Sequence, residues 1–189
     1  MDRPRRAWQR APGRLSPQSG RQGRPLLYTM AGLMVTFAGF SAILLSVRQA
    51  AGARLSVLDR YLARTVFVHL FALTAAALLP PLLSLYDIPE SAVWKIAAAI
   101  FGLPMLLLLL TYPQRRRKVV GGPPPAILFA VFIVLGSAVL AAMMIYVWAG
   151  FQYAAAAYIT AVAVNFFTTA FAFITALEVI LKDPAEQPQ

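Results

Sequence analysis

Residues 92–112 have the sequence AVWKIAAAIFGLPMLLLLLTY, and residues 113–126 continue as PQRRRKVVGGPPPA. The first segment has about the 20 apolar residues that a helix needs to cross a hydrocarbon core roughly 30 Å thick. Backbone groups in lipid must hydrogen-bond within their own segment, so this segment is predicted to be a membrane-spanning helix. The cations that follow could attract either a nucleic acid or a membrane interface. These are Arg115, Arg116, Arg117 and Lys118.

The composition of the whole chain is that of a membrane protein. Of its 189 residues, 60% are hydrophobic and 13% are charged, whereas a soluble domain has roughly 45–50% apolar and about 25% charged residues. The apolar excess is more than the core of one domain this size can bury. The chain contains no cysteine, which excludes a disulfide, a thiolate nucleophile and a cysteine metal site.

Apolar segments of span length recur along the chain. They cover residues 26–47, 65–86, 92–112, 126–148 and 151–181. Ser56 and Asp59 have the spacing of a capping box, which predicts that the second helix begins near Val57. Three prolines at 123–125 prevent a helix from continuing through the basic segment and leave Ala126 free to begin the fourth. The predicted fold class is all-α, a membrane-spanning bundle of five transmembrane helices at residues 26–182.

The cations alternate between the two sides of this predicted bundle. Four lie between the first and second spans and four between the third and fourth, one follows the fifth, and the other two connections have none. Short connections rich in Lys and Arg stay in the cytoplasm. The chain is therefore predicted to start outside and end in the cytoplasm. The residues that determine this topology are Arg48, Arg54, Arg60, Arg64, Arg115, Arg116, Arg117 and Lys118.

The N-terminal segment disagrees with this orientation. Residues 1–25 hold seven arginines and four prolines with no apolar period, so the segment is predicted to be a disordered tail. Its arginines would also favour the cytoplasm, which makes the two orientations nearly equal. We therefore expect that synthesis starts at Met30. Residues 183–189 are expected to form a short polar tail.

Three polar residues within the predicted spans are candidates for a functional role, since ionisable groups there are costly. His69 is the only histidine and Asn165 lies midway along the fifth span, with Thr160, Thr168 and Thr169 nearby. Each can serve either as a hydrogen-bonded packing residue or as part of a polar path. Glu178 has helical i,i+4 spacing to Lys182, which favours a surface pair, and a proton-coupling site is the alternative.

Motifs for catalysis are missing from the sequence: no phosphate-binding loop, nucleophile elbow or zinc-protease motif occurs. Four cations in a short connection, without stacking aromatics, are a poor nucleic-acid footprint. We therefore expect no enzyme, cofactor, metal or nucleic acid. The expected partners are the lipid bilayer, with anionic headgroups at the basic segments, and another membrane protein or a second copy. The expected function is that of a non-catalytic integral membrane protein that acts through helix–helix or partner contacts, and the alternative is a small transporter or channel component with a polar path near His69 and Asn165.

Four stretches, GFSAILLSVRQ, LSVLDRYLARTVF, ALLPPLL and PESAVWKIAAAIFGL, carry a resemblance. Through them, residues 31–118 resemble a group of uncharacterised small multi-pass proteins of the bacterial inner membrane. The resemblance implies that location and carries no activity. The Arg-rich N-terminal extension departs from the pattern of the group.

Overall fold

The computed structural model describes residues 18–50, 56–121, 126–151 and 153–181, which form five long helices. The helices are α1 (Gln18–Ala50), α2 (Val57–Leu83), α3 (Glu90–Val120), α4 (126–148) and α5 (Ala154–Leu181). Within α4, Phe129–Leu135 is π-helical. Each of the five contains a segment long and apolar enough to cross a membrane. This confirms the predicted all-α bundle with five transmembrane helices.

The helix starts follow the local signals of the sequence. The N–H of Arg60 donates to the carbonyl of Ser56 at 3.2 Å, and α2 begins at Val57. Helix α3 begins directly after Pro89, whose φ of −52° suits the entry to a helix. Helix α4 begins at Ala126, immediately after the three prolines.

Two helices are longer than the apolar pattern predicts. Helix α1 begins at Gln18 and contains Pro25, so residues 18–25 of the expected disordered tail are helical, while residues 1–17 lie outside the described residues. Once the apolar segment has formed a helix, each added residue gains one backbone hydrogen bond, which allows the helix to extend. Met30 lies inside α1, and the expected start of synthesis there stays a prediction. Helix α3 continues from Tyr112 to Val120.

Helices α2 and α5 occupy the centre of the bundle. Helix α2 packs against α1, α3 and α5, and α5 packs against all four other helices. Close approach depends on glycine at one contact between α3 and α4: a Cβ on Gly102 would lie 2.6 Å from Sδ of Met144. Contacts between helices in lipid depend on such close packing, because the apolar solvent provides little hydrophobic drive.

Pro80 leaves a helix carbonyl of α2 without its usual donor, and a side chain of α5 replaces it. Pro80 has no N–H for the carbonyl of Ala76, four residues earlier. The hydroxyl of Tyr158 on α5 donates to that carbonyl at 2.9 Å. Other hydroxyls bond within their own helix, as Ser41 does to the carbonyl of Phe37 at 2.8 Å. Such pairing is what a membrane interior demands.

The outer face of the bundle is apolar around its whole circumference. Large apolar side chains that are more than half exposed occur on every helix, for example Leu33, Phe71, Leu107, Ile145 and Phe167. Soluble monomers rarely expose contiguous apolar patches beyond a few hundred Å². The five apolar helices and this surface are those of a multi-pass integral membrane protein.

Candidate functional site

The two basic segments of the sequence meet in one open cavity at the start of α2 and the end of α3. Its volume is about 620 Å³. It is lined by Val57, Arg60, Tyr61, Arg64, Thr65, Val68, His69, Leu108, Arg115, Lys118 and Val119. None of these described lining residues is acidic. Four cations therefore line one cavity, two from α2 and two from α3: Arg60, Arg64, Arg115 and Lys118.

Helix geometry explains why the α2 residues share one face. Arg60 and Arg64 are four residues apart, and Tyr61, Thr65 and His69 repeat the same spacing beside them. Residues three and four apart lie above one another on a helix. This face of α2 extends about 12 Å from Arg60 toward the middle of the helix, at 1.5 Å per residue. Its outer part is cationic and its inner part ends at Val68 and His69.

The run from Arg115 to Lys118 is helical, whereas the sequence analysis placed it in a connection after Tyr112. Helix α3 ends only at Gly121, which has a left-handed φ of 83° and donates its N–H to the carbonyl of Arg117. Glycine adopts this conformation without strain, so it ends the helix here. Because the run is helical, its four cations point in different directions, and only Arg115 and Lys118, three residues apart, line the cavity.

The arginines of this run have different surroundings. Nη2 of Arg115 donates to the carbonyl of Leu108 at 2.6 Å, next to Leu109, whose own carbonyl loses its usual donor at Pro113. Arg116 is about nine-tenths buried and hydrogen-bonds to the side chain of Tyr112. Arg117 is exposed. The run is therefore not a set of equivalent cations.

His69 lies at the inner part of the cavity and is 1% exposed. Its Nδ1 lies 2.8 Å from the carbonyl of Thr65, which can only accept, so Nδ1 carries the proton of that bond. Its ring lies 4.8 Å from that of Phe132 in the π-helical segment of α4. Nε2 is buried and has no hydrogen-bond partner among the described residues. Buried polar atoms are normally paired, so an unpaired Nε2 is unusual.

Asn165 lies in the middle of α5, near Gly136 of α4. It is 2% exposed, and its Nδ2 donates to the carbonyl of Ala161 at 2.9 Å. The hydroxyls of Thr168 and Thr169 donate to the carbonyl of Asn165 at 3.0 and 2.7 Å. A Cβ built on Gly136 of α4 would lie 3.2 Å from Oδ1 of Asn165. His69 and Asn165 do not line the same cavity, since Asn165 is absent from the described lining of the basic one.

Several of the predicted residues fall at or beyond the limits of the described structure. Arg48 lies in the last turn of α1 and is partly buried. Arg54 lies outside the described residues, as does Lys182, and the side chain of Glu178 does as well. The proposed pairing of Glu178 with Lys182 stays a prediction. Thr160 is exposed and lies apart from the buried threonines.

Metal-binding groups do not assemble within the part of the chain that the structure describes: no three His, Asp or Glu side chains lie close enough to hold an ion. Comparisons with protein-family models, with curated proteins and with solved structures found no match. The candidate site is therefore defined by its own geometry, as a basic cavity with a buried imidazole at its inner end.

The helical spacing of residues in the two flanking segments is a sequence signal for this cavity. Cations and apolar residues recur at intervals of three and four on both flanking segments, which is the spacing of a helix face. Treating residues 113–125 as a connection removed that signal from α3. The pairing of the two faces could not be derived from the sequence alone, because it depends on how α2 and α3 rotate against each other.

Proposed function

We propose that the protein is a non-catalytic component of a bacterial inner membrane, and that it acts by contact between its helices and those of a second copy or another membrane protein. The observation that carries the proposal is an outward-facing stripe of small residues on α1. The stripe consists of Gly32, Thr36 and Gly39, all exposed, at intervals of four and three residues that place them on one face.

The stripe is suited to close contact with another helix in the membrane. A Cβ built on Gly32 or on Gly39 would have no atom of the protein within 4 Å, so neither glycine serves packing inside the bundle. The hydroxyl of Thr36 donates to the carbonyl of Gly32 at 2.9 Å, and a helix face with satisfied polar groups can be covered by another helix. Small residues at this spacing allow helix backbones to approach closely in lipid.

The cations that line the cavity support the orientation, whereas Arg24 of α1 lies at the opposite end. Cations of α2 and α3 lie at one end of the bundle, and that end is expected to face the cytoplasm. The opposite end carries exposed Tyr86, Trp148 and Tyr153, and aromatic residues of this kind favour the membrane interface. The chain would then start outside and end in the cytoplasm.

Replacement of Gly39 by leucine tests the contact. A leucine there would hold the partner helix away, and we expect association in native membranes to weaken by about tenfold or more. Cross-linking in membranes followed by native gel electrophoresis measures the fraction in the larger complex. The Ala142→Leu variant is the control, because Ala142 is exposed on α4 and the variant places the same leucine side chain away from the stripe. A wild-type protein that is monomeric, or equal effects of both variants, would contradict the proposal.

A further inference from the structure

The basic cavity between α2 and α3 has more charge than orientation in the membrane requires. A topology signal needs only that cations lie on one side of the membrane. Here Arg60, Arg64, Arg115 and Lys118 surround one space with no acidic residue among the described lining. Like charges held close together repel one another, which destabilises the compact state. A bound anion would remove this repulsion.

The deeper lining indicates what kind of anion fits. Val68, His69 and Leu108 line the cavity together with the cations, and the guanidinium of Arg115 reaches the carbonyl of Leu108 at 2.6 Å. Nε2 of His69 is the unpaired nitrogen, and with Nδ1 protonated its neutral form accepts a hydrogen bond. Because Nε2 has almost no accessible surface, a ligand that fills the cavity has a negative group near the guanidinium groups and an apolar part along Val68 and Leu108.

We propose that this cavity binds one phosphate-bearing anion, with its phosphate among Arg64, Arg115 and Lys118 and its apolar part along Val68 and Leu108. Arginine suits this role because its planar guanidinium donates two parallel hydrogen bonds to phosphate oxygens. Both the headgroup of an anionic phospholipid and free hydrogenphosphate carry the phosphate, and only the lipid also carries an apolar part. The apolar part of the lining favours the lipid headgroup. The proposed orientation determines only which leaflet of the membrane the cavity faces, and the site itself does not depend on it.

Single substitutions that remove equal charge can separate a site from a general attraction. Arg115 and Arg117 belong to the same run, but only Arg115 lines the cavity. Arg115→Gln and Arg117→Gln therefore remove the same charge from the same end of the protein. Arg64→Gln is the second test variant, because the loss of the Arg115 bond to Leu108 could by itself disturb α3.

The full-length protein, purified in detergent, would be titrated with phosphatidylglycerol, with phosphatidylcholine and with inorganic phosphate at constant ionic strength. Native mass spectrometry counts bound lipid, and the shift in melting temperature reports phosphate. We expect the wild type to bind one phosphatidylglycerol in preference to phosphatidylcholine. We expect Arg64→Gln and Arg115→Gln each to weaken that binding about tenfold, and Arg117→Gln to bind as the wild type does.

The possible results separate a lipid site from a free-phosphate site, and both from the absence of a site. Binding of inorganic phosphate with the same dependence on Arg64 and Arg115, without lipid binding, would support the site and assign it to free phosphate. Equal losses in all three variants would overturn it, because they would show attraction to the whole basic end. A lack of binding to either compound would overturn it as well. The orientation of each variant, measured separately, shows whether the proposed topology has failed instead.

Discussion

At the scale of single residues, Pro80 explains why the bundle needs the hydroxyl of Tyr158. Pro80 leaves the carbonyl of Ala76 without a donor from its own helix, and the fully buried Tyr158 supplies one from α5. The ring of Tyr158 also lies 5.7 Å from that of Trp94 and 6.0 Å from that of Phe101. One side chain thus connects three helices through a hydrogen bond and two aromatic contacts.

The Tyr158→Phe variant should lower the free energy of unfolding by about 1–3 kcal/mol, because it leaves the buried carbonyl of Ala76 without a partner. Thermal unfolding in detergent measures the change. In a Pro80→Ala background the helix regains its own N–H donor, so the same tyrosine substitution should cost clearly less. Equal costs in the two backgrounds would show that the proline is not the reason for the bond.

The sequence contains the proline but does not identify the partner of the freed carbonyl. Prolines within a span indicate that some neighbouring group must satisfy the freed carbonyl. Tyr158 is 82 residues from Ala76, and no local pattern distinguishes it from an interfacial tyrosine. Likewise, His69 and Asn165 were recognised as polar residues within spans, but only the packing of α2, α4 and α5 shows what each one contacts.

At the scale of helices, α3 shows how far composition can predict an element. Its apolar segment and its start at Glu90 follow from hydropathy and from Pro89. Its end does not, because arginine and lysine favour helix about as well as leucine does, and their long apolar stems can lie along the membrane interface while the charge remains in water. The helix continues through the basic run to Gly121, the first residue suited to end it.

Replacement of Arg115 to Lys118 by four glutamines tests the role of this run in topology. The change removes about half of the cations expected in the cytoplasm, so α3 and α4 should insert in mixed orientations or lose abundance, while the Arg48–Arg64 segment still orients α1 and α2. Reporter fusions after residue 121 measure the orientation. Replacement of the three arginines by lysines should leave insertion unchanged, since topology depends on positive charge. Uniform orientation of the glutamine variant would exclude the run as a topology signal.

At the scale of the whole molecule, the structure consists of apolar helices with two distinct ends. Helices α2 and α5 form the centre, and small residues at contacts such as Gly102 allow close packing. The basic end holds the cavity, and the opposite end has exposed aromatic side chains at Tyr86 and Trp148. The number of helices followed from hydropathy alone, whereas the cavity required the three-dimensional arrangement of α2 and α3.

Site-directed labelling with a membrane-impermeant maleimide tests the central claim, which is a five-span protein with its basic end in the cytoplasm. The chain has no cysteine, so each single-cysteine variant gives one signal. Gln49 lies at the basic end of α1, and Leu85 and Ala149 lie at the opposite end, all exposed. In spheroplasts, the Leu85→Cys and Ala149→Cys variants should be labelled at once, and the Gln49→Cys variant only after the membrane is opened. Labelling of the Gln49→Cys variant in sealed spheroplasts, with protection of the other two, would contradict the orientation, and labelling of all three would contradict the five spans.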